Sequence, residues 1–110
     1  MKLKDNDHLI DCPIEIASSV VGGKWKCVIL FRLLDNTVRF NELSRSIDGI
    51  TRRMLTLQLR ELEALGIVNR KVYHQVPPKV EYSLTPLGAK LKPILKQLKA
   101  WGDMYIKSKN

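Results

Sequence analysis

A chain of 110 residues can build one hydrophobic core, but not a catalytic domain with a deep cleft beside a second binding domain. Nineteen Lys and Arg against eleven Asp and Glu give a formal net charge of +8, which suits an anionic partner such as nucleic acid, with plain solubility the alternative. The excess is uneven: residues 1–20 carry −2, residues 21–60 carry +5, residues 61–80 carry +1 and residues 81–110 carry +4.

The start, Met1-Lys2-Leu3-Lys4-Asp5, leads into polar residues, so no signal peptide is expected. The longest apolar run, Cys27 to Phe31, falls far short of the ~20 residues that span a bilayer. The chain is therefore expected in the cytoplasm with no membrane partner, and its two cysteines are not expected to form a disulfide within one copy. A first short helix is expected from Pro13 to about Val21, with Pro13 suited to its first position. Gly22-Gly23 breaks the chain. A second helix follows from about Lys24 to Leu34, with Trp25, Val28, Ile29 and Leu33 inward.

Val38-Arg39 is a candidate short strand that would pair with a later hairpin. Asn41 to Ile47 reads as a third helix, with Phe40, Leu43 and Ile47 at helical spacing and Asp48-Gly49 as the turn after it. The next helix is the most informative element. Thr51 can cap it and Gly66 can close it, while Leu55, Leu59 and Leu62 fall at i, i+4 and i+7 on one apolar face. Arg52, Arg53, Thr56, Leu57 and Arg60 point elsewhere, a face with three positive charges and no carboxylate; Glu61 and Glu63 come only later. A merely solvated helix usually mixes both signs, so this face suits a DNA groove.

Residues 67–72 and 80–84 partly alternate apolar and polar and read as an antiparallel hairpin. Its connection, Tyr73 to Lys79 with Pro77-Pro78 inside, is too long for a two-residue turn and should project as a wing. A last helix, capped by Thr85, is expected from Pro86 to about Lys107. Leu87, Leu91, Ile94, Leu95, Leu98, Trp101 and Tyr105 form an apolar stripe along it, and Pro93 should kink or break it.

Four segments carry a family resemblance: GGKW at Gly22 to Trp25, RFNEL at Arg39 to Leu43, the run ITRRMLTLQLRELEALGIVNR from Ile50, and PPKVEYSLTPLG at Pro77 to Gly88. Together they resemble the HxlR-type winged helix-turn-helix regulators, relatives of the MarR group, and the likeness extends from Cys12-Pro13 to Trp101-Gly102. The resemblance implies one domain over residues 1–110, mainly α with a small β-hairpin (α+β). The helix-turn-helix would lie at about 41–65, the wing at about 67–84 and terminal dimerisation helices at about 13–21 and 86–107. It also implies a homodimeric bacterial transcription factor on double-stranded DNA, with repression the commoner outcome.

Site residues can then be named. Arg52, Arg53 and Thr56 are candidates for base-edge contacts, because arginine can bond two acceptors of guanine at once and a threonine methyl can meet thymine. Leu57 adds an apolar base contact, Thr51 caps the reading helix, and Arg60, Arg45 and Lys79 are candidates for phosphate contacts, which set register without reading sequence. For each arginine taken alone, a solvated side chain is the bland alternative. Ile14, Leu95, Leu98, Trp101 and Tyr105 are the candidate dimer interface, since that apolar stripe exceeds what one small core needs; an intramolecular core helix is the alternative. A twofold dimer would set two reading helices about 34 Å apart on a palindromic operator.

Cys12 is the candidate sensor. A helix start favours the reactive thiolate, though Asp11 and Glu15 oppose it. In the resembled family several members respond to quinones, aldehydes or oxidants through a cysteine at this place, so thiol modification could release DNA. A half-buried structural cysteine is the alternative, and Cys27 reads as inert core. His8 and Cys12 stand four apart, but nothing completes a metal site, and no cofactor loop or catalytic constellation is legible, so neither metal, cofactor nor enzyme activity is expected. An oxidant or a small molecule held in the dimer cleft is the candidate effector, although no ligand pocket is legible in the sequence. The rival from another class is a winged-helix protein-interaction module without specific DNA binding, which would generally lack so clean a basic face.

Overall fold

The computed structural model describes residues 12–110. His8 and Asp11, named above beside Cys12, lie outside that range. Among the described residues, six helices and three short strands follow one another as α1 (Pro13–Val21), α2 (Lys26–Arg32), β1 (Val38–Arg39), α3 (Phe40–Ser46), α4 (Arg52–Ala64), β2 (Val68–Tyr73), β3 (Lys79–Leu84), α5 (Pro86–Ala89) and α6 (Lys92–Ser108).

The strands form one antiparallel sheet in the order β1-β3-β2. Val38 faces Tyr82 and Arg39 faces Glu81 on one side of β3, while Val68 faces Leu84 and Tyr73 faces Lys79 on the other. Residues 74–78 form the wing tip.

Helix α4 is fixed at both ends by local chemistry. Thr51 Oγ1 accepts the Met54 N–H at 3.0 Å, satisfying one orphan donor of the first turn. At the other end Gly66 takes φ +76°, and the N–H groups of Gly66 and Ile67 return to the carbonyls of Glu63 and Leu62, both at 3.0 Å. That is a Schellman closure, and the positive φ is why glycine stands there.

The core gathers Ile29, Leu30 and Leu33 with Leu43, Ile47, the three leucines of α4, Val68, Tyr82 and Leu95. Trp25 and Val28, expected inward, are half-buried, and Leu30, not expected there, is fully buried. The reason is that α2 touches α1, α4 and α6 and so buries more than one face.

The C-terminal segment is two helices rather than one. Thr85 Oγ1 accepts the Gly88 N–H at 3.0 Å to start the short α5 and donates to the Gly66 carbonyl at 2.7 Å, tying this corner to the end of α4. The break falls at residues 90–91, and Pro93 sits in the first turn of α6, where its missing N–H needs no partner. Leu95, named above as an interface residue, is only 1% exposed and belongs to the core of the single chain, because α6 turns it toward α2. The outward row on α6 is Ile94, Leu98, Trp101, Met104, Tyr105 and Ile106, with Trp101 and Tyr105 stacked at 5.4 Å between ring centroids.

Candidate nucleic-acid interface

Helix α4 presents its polar face next to the wing. Between the two runs an open cleft of about 560 Å³, walled by Arg39, Phe40 and Asn41 from β1 and α3, Arg52, Thr56, Arg60 and Glu63 from α4, and Arg70, Lys79 and Tyr82 from the sheet. Five cations against one carboxylate make it an anion-accepting surface.

The side chains around it are held to different degrees. Arg52 Nη1 donates to Asn41 Oδ1 at 3.0 Å, and its guanidinium lies 4.8 Å from the centre of the Phe40 ring. Arg45, Arg53 and Arg60 are exposed and make no hydrogen bond or ion pair with the described residues. Thr56 donates its hydroxyl proton to the Arg52 carbonyl at 2.9 Å, which leaves its oxygen lone pairs and methyl for outside contacts. Leu57 is 47% exposed. Lys79 is engaged as well, lying 3.7 Å from Glu81 and 4.2 Å above the Tyr73 ring.

Of the two carboxylates on α4, Glu61 is met internally and Glu63 lines the cleft. The Lys26 ammonium donates to Gln58 at 2.9 Å and pairs with Glu61, so α2 neutralises that carboxylate. The N-terminal half keeps its positive potential, reinforced by the helix dipole.

The structure brings Arg52, Thr56, Arg60 and Lys79 to one cleft, with Arg53 and Leu57 exposed on the same helix, and leaves Arg45 on the last turn of α3. Sequence reasoning missed the cations Arg39 and Arg70 and the amide of Asn41 in that lining. Strand alternation was the available signal, since Arg70 pairs directly with Tyr82. Burial raises the Tyr82 phenol above its ordinary value, and the adjacent Arg70 partly opposes that.

Cys12 is half-buried at the start of α1, where its carbonyl accepts the N–H groups of Glu15 and Ile16 at 3.0 and 3.1 Å. Ile14, two residues on, is 72% exposed. Cys27 lies instead on α2 in an apolar hollow beside Leu95 and Leu98, and burial pushes its thiol up from the usual range. No helix among the described residues is long and apolar enough to cross a membrane.

Residues 20–110 match the HxlR-like helix-turn-helix family. The chain is 60% identical over 92 residues to the HTH-type transcriptional regulator YybR of Bacillus subtilis (strain 168), covering 84% of this chain and 74% of that protein. Among solved structures, the redox regulator HypR in its reduced form is similar with a TM-score of 0.81 at 58% identity, over 84% of this chain and 92% of that one. In its oxidised form HypR gives 0.80 at 59%, over 84% and 96%. The reduced form of the transcriptional regulator YodB from B. subtilis gives 0.74 at 37%, over 87% and 95%. A winged helix-turn-helix with a basic cleft beside its fourth helix, matched along most of its length by regulators of one kind, places this chain in the HxlR-like helix-turn-helix family of transcriptional regulators.

Proposed function

We propose that the chain is a sequence-specific DNA-binding repressor that acts as a homodimer on a palindromic operator and lets go when Cys12 is oxidised or alkylated. The observation that carries the DNA reading is the cleft between α4 and the wing, where five cations face one carboxylate beside the exposed Arg53. In this reading α4 enters a major groove, Arg53, Thr56 and Leu57 meet base edges, and the cleft cations with Arg45 meet phosphates. Lys79 contributes mainly as part of the wing's positive field, since Glu81 and Tyr73 already engage it.

The dimer reading rests on the outward row of α6. Leu98, Trp101 and Tyr105, joined by Ile94 and Met104, form a contiguous apolar face, and Ile14 of α1 is exposed as well. Covering that face with a second copy removes apolar area from water and sets two copies of α4 one helical turn apart. Leu95 takes no part, being already enclosed.

The release reading rests on Cys12, half-buried beside the exposed Ile14, and on the likeness to regulators solved in oxidised and reduced forms. An oxidant would draw two electrons from a pair of thiols, one being Cys12, to join them as a disulfide; an electrophile would alkylate its sulfur. Either change at the start of α1 would shift the two reading helices out of register.

Selection from a random duplex library followed by footprinting tests the reading. A protected inverted repeat with half-sites one turn apart is expected, and enrichment without symmetry would contradict the dimeric arrangement. Diamide should abolish the footprint of the native chain and spare that of Cys12→Ser. If Cys12→Ser is released equally, Cys12 is not the sensor.

A further inference from the structure

Arg52 and Arg53 are adjacent in sequence but stand in different surroundings. Arg52 is tethered twice to the start of α3: its Nη1 donates to Asn41 Oδ1 at 3.0 Å, and its guanidinium lies 4.8 Å from the Phe40 ring centre. Phe40 is itself set by Tyr82, with ring centroids 6.3 Å apart, and Tyr82 is buried in the sheet. Arg53 is exposed and has no such partner among the described residues.

The tether decides what each side chain can do. An arginine held by a hydrogen bond and a ring has part of its rotamer entropy already spent, so its remaining donors meet an anion at lower cost. Held that way it faces the cleft, among Arg39, Arg60, Arg70 and Lys79. Swinging out to a base edge would break both contacts. Arg53 can reach outward at no such penalty.

We infer that Asn41 is a positioning residue, which with the Phe40 ring dedicates Arg52 to a backbone phosphate of the bound duplex and leaves base reading by the arginine pair to Arg53. This rests on the DNA-binding reading above and divides labour within that site. The fork matters as much as the charge, because its several donors can bond Asn41 and still meet an anion, whereas lysine has one ammonium for both.

Fluorescence anisotropy separates the roles, using the selected operator and a scrambled duplex of the same length at several salt concentrations. Asn41→Ala and Arg52→Ala should weaken both duplexes by the same factor, leaving the operator preference intact. Arg52→Ala should lower the salt slope by about two, one for each copy in the dimer. The double variant should lose less than the product of the single losses, because one interaction has been removed twice. Arg52→Lys should keep the salt slope of the native chain while losing affinity as Asn41→Ala does. Arg53→Ala should cut the operator preference by roughly tenfold or more. Losses at Asn41 and Arg52 that simply multiply, or a collapse of preference in Arg52→Ala, would overturn the inference while leaving DNA binding intact. Failure of the native chain to bind either duplex would overturn the DNA reading itself.

Discussion

Gly88 shows how little room single residues have in this fold. It is buried where α5 passes the first residues of the hairpin, and a Cβ there would collide with the Ile67 carbonyl oxygen, a backbone atom that cannot swing aside. Gly88→Ala should therefore destabilise by about 1–3 kcal/mol, the usual range for overpacking, read as a fall in Tm with DNA binding retained below it. The two cysteines divide in a similarly local way. Burial raises the Cys27 thiol, so its thiolate is scarce at neutral pH and becomes populated only as pH climbs above the ordinary thiol range. Iodoacetamide at pH 7.5, followed by peptide mass mapping, should label Cys12 well before Cys27. Equal rates in the native state would contradict the protected position of Cys27. Residue identity made Arg52, Arg53 and Thr56 visible as candidates in the bare sequence, but not the tether of Arg52 to Asn41. That contact joins residues eleven apart across the α3–α4 corner, and no helical spacing encodes it.

At the scale of elements, what was legible is what local chemistry writes twice. Both ends of α4 carry their own signal, a capping threonine and a closing glycine, and its leucine spacing names the buried face. Gly66→Ala forces a side chain into φ +76° and should cost about 1–2 kcal/mol, with loss of affinity only in step with unfolding on a denaturant curve. The C-terminal segment was less legible, because a proline inside an apolar stripe says that a helix breaks without saying on which side. The break falls before Pro93, since α5 is anchored separately through Thr85 to the end of α4. Leu95 is the same problem in miniature. Its spacing fits the outward stripe as well as the core, and only the approach of α2 to α6 decides between them.

At the scale of the molecule, the described residues of the single chain leave two surfaces open, one cationic and one apolar, and the proposed function uses both. The apolar face centres on Trp101, 60% exposed and stacked on Tyr105. Trp101→Asp should give a monomer by analytical ultracentrifugation with unchanged far-UV circular dichroism, and its operator affinity should fall at least a hundredfold through loss of the linked second half-site, the upper range of such gains being about 10⁴. The cationic surface carries the central claim, and the most direct measurement of it is the equilibrium constant for a duplex as a function of salt. With Arg39, Arg45, Arg52, Arg60 and Arg70 of each copy on phosphates, about ten contacts per dimer predict a log–log slope of about −9, and Arg52→Ala/Arg60→Ala should flatten it. A native chain whose affinity is insensitive to salt, or that ignores duplex DNA at 50 mM salt, would contradict the account.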